Sequence, residues 1–121
     1  MKLRIHAEDR SDSTNFFDFD LSLKPSGPQA SREEVEFFSE IKNKINFIHH
    51  VATEHLYEIL DRSSSRYKGG YIIDSVKIRR VKGHFETKLS GYFENDDDYI
   101  WWVKLGDSID PYGVTELGRQ R

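Results

Sequence analysis

The sequence contains no cysteine, few prolines and no long apolar run. None of its 121 residues is Cys and only three are Pro. The lack of cysteine excludes disulfide bonds, thiolate nucleophiles and cysteine-ligated metal sites. No apolar stretch approaches the roughly 18 residues that a membrane span needs, and segment 1–10 lacks the apolar part of a signal peptide. We therefore expect a cytoplasmic protein that does not associate with membranes.

The chain is short and polar but rich in aromatic side chains. Apolar residues make up 36% of it, its mean hydropathy is -0.71, and aromatic residues make up 13%. A chain of this length fits one domain, here 1–121, and each buried aromatic ring removes a large area from water. We expect one compact domain with an aromatic core.

Positive charge is concentrated in one part of an otherwise acidic chain. Residues 62–93 carry eight Lys and Arg against two acidic residues, whereas 1–61 carry seven against twelve and 94–121 carry three against seven. The net charges of these segments, +6, -5 and -4, sum to the -3 of the whole chain. Such a basic block either forms a surface for an anionic partner or is neutralised within the fold.

Two segments near the start alternate between apolar and polar residues, as half-buried strands do. Leu3 and Ile5 alternate with basic residues and a histidine in segment 2–6, and apolar residues alternate with aspartates in segment 15–23. We therefore predict an N-terminal strand pair within 1–23.

One long amphipathic helix is predicted over 31–63. Ser31 and Glu34 have the spacing of a capping box, in which each residue bonds to the backbone of the other. Apolar residues then recur every three or four positions as far as Leu60. A continuous helix of about eight turns would present one apolar face to the rest of the protein.

Three more strands, forming an antiparallel meander, are predicted over 71–105. Lys82 and Gly83 fit a two-residue hairpin turn between the first two, and polar residues 95–98 separate the second from the third. The polar segment 106–121 is expected to be a flexible tail, with Ile109, Tyr112, Val114 and Leu117 as the residues able to dock part of it. The predicted fold is α+β, with an antiparallel sheet of about five strands in the order β-β-α-β-β-β packed on the helix.

A single helix covers one face of such a sheet and leaves the other face for solvent or a partner. In the third strand we expect Ile72, Val76 and Ile78 to face the helix. The open face is expected to mix cations with aromatic rings, and its predicted members are Lys77, Arg79, Lys88, Tyr92 and Trp102, with Lys104 beside Trp102.

Two interpretations of this face remain open. Cations beside flat rings suit single-stranded nucleic acid, whose bases stack and whose phosphates are anionic. Alternatively, Asp18 and Asp20 on a neighbouring strand neutralise the cations, since cross-strand pairs of opposite charge stabilise a sheet by roughly 0.2 to 1 kcal/mol each. The Lys/Arg-Gly-aromatic signature of RNA-recognition sheets is absent.

Three aromatic residues outside this face are further candidate partner contacts. Phe47 and Tyr57 lie away from the apolar stripe of the predicted helix, and Tyr99 adjoins the acidic turn. Aromatic rings with charged surroundings are common anchors of protein interfaces.

No catalytic, metal-binding or cofactor-binding motif is present. His49, His50, Glu54 and His55 share the predicted helix, but their spacing matches neither order of the zinc-hydrolase motif. Because His55 falls on the apolar stripe, we expect it to be a buried, hydrogen-bonded histidine. There is also no serine-nucleophile or phosphate-loop motif, so we predict no catalytic residue, no metal and no cofactor.

A small chain with these properties is typical of a non-enzymatic protein-binding module. We expect an inhibitor, immunity or anti-defence type of protein that blocks or adapts a larger partner, an expectation that follows by association from size and surface character. The alternative is a sheet that binds single-stranded nucleic acid or a nucleotide through its basic and aromatic face.

Overall fold

The structure, a computed structural model, describes residues 1–8, 16–60, 70–106 and 113–120. These ranges form six strands and two helices. In chain order the elements are β1 (Lys2–Glu8), β2 (Phe16–Leu23), α1 (Arg32–Asn43), α2 (Ile45–Ile59), β3 (Tyr71–Val81), β4 (His84–Phe93), β5 (Asp96–Gly106) and β6 (Gly113–Gln120).

All six strands lie in one sheet, in the order β1-β2-β3-β4-β5-β6. The predicted α+β class is confirmed, but the prediction of a purely antiparallel sheet of about five strands is wrong. β2 and β3 pair in parallel, whereas the other four neighbouring pairs are antiparallel. Both helices lie in the connection between β2 and β3, and a connection of this length is what parallel neighbours need.

The sixth strand lies where the sequence predicts a flexible tail. β6 pairs with β5 over its whole length, with Leu117 opposite Val103. Its burial does not alternate from residue to residue, and a register shift interrupts the β5–β6 ladder between Lys104 and Leu105. Since alternation is the main signal of a strand in a sequence, this interruption hides β6 from the sequence pattern.

The helical segment consists of two helices rather than the single one predicted over 31–63. They meet at Lys44, whose backbone N–H is shared between the carbonyl groups of Glu40 and Ile41 and whose φ and ψ are -106° and 16°. Neither Pro nor Gly occurs at this point, so the sequence does not signal the break. Residues 61–63 of the predicted helix lie outside the described residues.

The predicted capping box at the start of α1 is confirmed. Glu34 N–H donates to Ser31 Oγ over 3.1 Å, and Ser31 N–H donates to Glu34 Oε1 over 2.9 Å. Glu34 is fully buried, and its carboxylate also accepts a hydrogen bond from the backbone N–H of Ser26 over 3.0 Å. A buried carboxylate is stable there because several donors replace its hydration, and it fixes the segment between β2 and α1 against the helix.

Both helices pack on the same face of the sheet. The Phe37 ring of α1 lies 4.2 Å from that of Phe85, and the Tyr57 ring of α2 lies 6.1 Å from that of Phe93. Alternate residues of β4 and β5 face the helices, and six of them are buried apolar residues: Phe85, Leu89, Phe93, Trp101, Val103 and Leu105. The hairpin turn at Lys82 and Gly83 is also confirmed, with φ positive at both residues as a type I′ turn requires.

A β-bulge changes which residues of β3 face the helices. The β3–β4 register shifts between Ile73 and Ser75, so Asp74 has no partner opposite it in β4. Val76 is buried as predicted, but upstream of the bulge Ile73 is buried and Ile72 faces the other way, which corrects the prediction for Ile72. An extra residue inverts the alternation of a strand, and sequence periodicity does not reveal it.

Gly91 allows the backbone of β3 to approach closely beside this bulge. A Cβ atom on Gly91 would collide with the carbonyl oxygen of Ile72 and lie 3.0 Å from its carbonyl carbon. Gly91→Ala should therefore lower the free energy of unfolding by roughly 1 to 3 kcal/mol, as overpacking does. Urea denaturation followed by tryptophan fluorescence measures this change.

Gly27→Ala is the matched control for this prediction. A Cβ atom there would meet nothing within 4 Å, so the free energy of unfolding should change by less than about 0.5 kcal/mol. Equal stability of the Gly91→Ala and Gly27→Ala variants would contradict the close approach at Gly91.

The buried carboxylate of Glu34 predicts a dependence of stability on pH. Hydrogen bonds from the Ser31 backbone, and then from the Ser31 and Ser26 side chains and the Ser26 backbone, hold the pKa of Glu34 below its ordinary value of 4.5. A lowered pKa in the folded state stabilises the protein above 4.5, and this contribution disappears as the pH falls through the folded-state value. Urea denaturation at a series of acidic pH values should therefore show a smaller loss of stability in Glu34→Gln than in the wild type. Identical pH dependences of the wild type and Glu34→Gln would show that Glu34 does not contribute to the pH dependence of stability.

Candidate functional site

Three lysines lie side by side on the open face, the face of the sheet that points away from α1 and α2. Lys77 of β3 is paired with Lys88 of β4, and Lys88 is paired with Lys104 of β5. We call these three residues the lysine row. Neighbouring strands are about 4.8 Å apart, so the row crosses the middle of the sheet over about 10 Å.

Two members of the lysine row lack a neutralising partner in the described part of the chain. Lys104 Nζ lies 3.3 Å from a Glu116 carboxylate oxygen. Lys77 faces Ser22 on one side and Lys88 on the other, and no carboxylate of the described residues forms an ion pair with either lysine. Like charges that face each other across strands destabilise a sheet. The row is thus a local excess of positive charge.

The aspartates of β2 bind cations of β1 and not the lysine row. Asp20 forms ion pairs with Arg4 at 3.2 Å and with Lys2 at 3.6 Å, and Asp18 pairs with His6. The hydrogen bond from Arg4, together with the charges of Arg4 and Lys2, lowers the pKa of Asp20 below its ordinary value. Cross-strand neutralisation by β2 therefore reaches one edge of the sheet and stops before Lys77.

The two arginines of β3 have partners within the fold. Arg79 Nε lies 2.9 Å from a Glu86 carboxylate oxygen on β4. Arg80 points to the helix side, where it pairs with Glu33 at 2.6 Å and its guanidinium lies 4.7 Å from the centre of the Phe85 ring. Among the described residues of the basic block, Arg79 and Arg80 are therefore neutralised within the fold, whereas Lys77 and Lys88 have no ion pair with a described carboxylate.

Trp102 lies next to the lysine row and faces away from the helices, as predicted. It is paired with Gly118 of β6, and a Cβ atom on Gly118 would lie 2.6 Å from Cζ2 of the indole. The ring therefore occupies the space above Gly118. The Nζ atoms of Lys88 and Lys104 stand 5.3 Å and 5.4 Å from the ring centre, within reach of a cation–π interaction.

Apolar side chains continue the open face beyond Trp102. Tyr92 is paired with Ile72 and is half-buried. Ile100, two residues before Trp102 on β5, is 40% exposed. We call Ile72, Tyr92, Ile100 and Trp102 the apolar end. On the other side of the lysine row lies the polar Arg79–Glu86 pair, so the open face is basic in the middle and apolar at one end only.

The other predicted contacts do not join this surface. Tyr57 and Tyr99 lie on the helix side, where Tyr57 packs on Phe93 and the Arg119 guanidinium lies 4.3 Å from the centre of the Tyr99 ring. Phe47, 57% exposed, is on α2. Five of the eight predicted contacts therefore share the open face, namely Lys77, Arg79, Lys88, Tyr92 and Trp102, and the remaining three lie across the sheet from them.

The buried histidine is His49 and not His55, which corrects the sequence prediction. His49 Nε2–H donates to the carbonyl oxygen of Tyr71 over 2.7 Å, and the Tyr71 hydroxyl donates to the carbonyl oxygen of Trp101 over 2.7 Å. Burial raises the pKa of Tyr71. His55 is half-exposed, 3.9 Å from Glu58. The described residues contain no group of three metal-ligating side chains. The hydrogen bonds of His49 and Tyr71 join α2 to β3 and β5.

Comparison with protein-family models, with curated proteins and with solved structures finds no match to this chain. In the described ranges, neither helix combines the length and apolar character that crossing a membrane requires.

The charge excess of the lysine row has a measurable effect on stability. Lys77→Glu should raise the free energy of unfolding by roughly 0.2 to 1 kcal/mol, because it replaces a repulsive cross-strand pair by an attractive one. Urea denaturation at low ionic strength measures the gain, which should shrink at high salt.

Lys42→Glu makes the same charge change on the exposed side of α1 and should produce no gain. A Lys77→Glu variant no more stable than the wild type at low salt would contradict the repulsion between Lys77 and Lys88.

Proposed function

We propose that this chain is a non-enzymatic protein-binding module that uses the open face of the sheet, and that it blocks or adapts a larger partner. The observation that carries the proposal is the pairing of Lys77 with Lys88, two lysines without an ion-pair partner among the described residues. A carboxylate from another protein would replace this repulsion by attraction. The apolar end supplies the second requirement of an interface, rings and aliphatic groups that lose water on contact.

One feature favours a protein partner over single-stranded nucleic acid. The lysine row ends at Glu116 on β6. A phosphate backbone that continued along the row past Lys104 would meet this carboxylate.

The proposal is tested by affinity capture with a pair of charge variants. The immobilised full chain is incubated with nuclease-treated extract of its source cell, and retained proteins are measured by quantitative mass spectrometry. Lys77→Glu/Lys88→Glu should reduce retention of the partner by roughly tenfold or more, since like charges facing across an interface are strongly unfavourable.

Arg32→Glu/Lys42→Glu is the control, because it makes the same change in net charge on α1, on the opposite side of the sheet. Its retained proteins should match those of the wild type. Retention of the same proteins by all three forms would overturn the proposal. A ligand that disappears on nuclease treatment, with a gel shift that weakens as salt rises, would replace it by nucleic-acid binding.

A further inference from the structure

The lysine row and the apolar end together restrict the shape of the partner. We infer that the partner presents an acidic amphipathic helix, which lies across the strands with its carboxylates along Lys77, Lys88 and Lys104 and its apolar stripe on Trp102, Tyr92 and Ile100. This inference rests on the proposed function and adds the class of partner to it.

The spacing of the lysines matches the repeat of a helix. Adjacent members are about 4.8 Å apart at the backbone, because they lie on neighbouring strands. Residues i, i+3 or i+4, and i+7 of a helix lie on one face and advance by about 5 Å per step and about 10 Å in all. An extended segment presents side chains on one face only every 6.8 Å or so. Three carboxylates on two turns of a helix therefore face the row in register, where Lys77 and Lys88 have no ion-pair partner among the described residues and Lys104 is shared with Glu116.

The apolar end fixes which way round the helix lies. Trp102 is two residues from Lys104 along β5, a distance of about 6.8 Å, and a helix with its side chains is about 10 Å across. One helix can therefore contact the lysine row and the first apolar residues together. The Arg79–Glu86 pair on the other side of the row is already neutral. Since apolar residues lie on one side of the lysine row only, the apolar stripe of the bound helix lies on the corresponding side of its acidic stripe.

The ends of the lysine row limit the length of the acidic stripe. Glu116 occupies the β6 end, and Ser22 lies at the β2 end with Asp20 two residues away. A carboxylate that extends past Lys77 or Lys104 meets no unpaired cation there, and beyond the β6 end it meets a like charge. We therefore expect an acidic stripe of about two turns.

The first helix, α1, of a second copy of this chain fits the surface less well. The exposed carboxylates of its own α1 are used within the helix, where Glu36 pairs with Arg32 at 3.0 Å and Glu40 pairs with Lys44 at 3.1 Å. The acidic side of α1 is thus already neutralised by its own turns. A helix with unpaired carboxylates is the better match.

The test uses two synthetic peptides of identical composition and measured helicity. The first carries Glu at i, i+4 and i+7 beside a Leu stripe, and the second distributes the same Glu and Leu residues around the helix. Fluorescence anisotropy of labelled peptide gives the Kd for the full-length chain, for Lys77→Glu/Lys88→Glu and for the Arg32→Glu/Lys42→Glu control. The first peptide should bind the wild type and the control at least about tenfold more tightly than the second does, which corresponds to about 1.4 kcal/mol.

Charge exchange gives an independent readout. A version of the first peptide with Lys in place of Glu should bind Lys77→Glu/Lys88→Glu more tightly than it binds the wild type. Equal affinity of the two Glu peptides, or no binding of either, overturns the helix inference. The proposed function survives that result if capture in extract still depends on Lys77 and Lys88.

Three further outcomes have defined meanings. Peptide binding that is indifferent to Lys77→Glu/Lys88→Glu counts against the helix inference and, with unchanged capture, against the proposed function as well. Tighter binding of a labelled oligothymidylate than of the first peptide overturns both. Self-association detected by sedimentation, and abolished by the same double substitution, would replace the helix by a second copy of the chain.

Discussion

The single helical connection between β2 and β3 is the constraint on which the rest of the structure depends. Because both helices belong to that one connection, they lie together on one face of the sheet, and the parallel pairing of β2 with β3 follows from the same crossover. Six strands then have one covered face and one uncovered face within the described residues. Polar side chains must occupy the uncovered face, and their charges must be balanced within it or by a partner.

The balance of charge differs from strand to strand across that face. At the β1–β2 edge every described cation has an aspartate, and at the β5–β6 edge Lys104 has Glu116. In the centre, where β3 and β4 pair, Arg79 has Glu86, whereas Lys77 faces Lys88 and Ser22 and has no ion pair with a described carboxylate. Exposed ion pairs each contribute little, so the stability of the sheet comes from its other face. The charges of the open face therefore contribute little to the stability of the fold.

Much of the fold could be predicted from the sequence, and the exceptions share a physical cause. Alternation located the strands, and capping-box spacing located the start of α1. Local pattern also placed Lys77, Lys88 and Trp102 outward, since each lies in a regular part of its strand. It failed at the Asp74 bulge and in β6, where a register shift between strands interrupts the period, and at Lys44, where the helix breaks without a Pro or Gly to mark the break.

The sequence could predict which side chains point to the open face, but it could not predict which of their charges neutralise one another. Those pairs depend on the register between strands that are far apart in the chain. On one side Asp20 is paired with Ser75 of β3, which is two residues from Lys77. On its other side Asp20 is paired with Arg4 of β1. A shift of two residues in the β1–β2 ladder would change which cations the aspartates meet. The sequence shows that Asp18 and Asp20 share a face with the lysines. Only the register shows that both aspartates form ion pairs with residues of β1.

In the proposed function, the open face combines a pair of like charges with an ordered anchor. Repulsion between Lys77 and Lys88 would raise the free energy of the unbound state, and an anionic partner would remove it on binding. Trp102 would need little ordering, because its indole already lies above Gly118, where no Cβ atom competes for the space. Binding costs less when an interface side chain is immobilised in advance. The arrangement that lowers the stability of the free sheet would therefore increase the net free energy available for the proposed association.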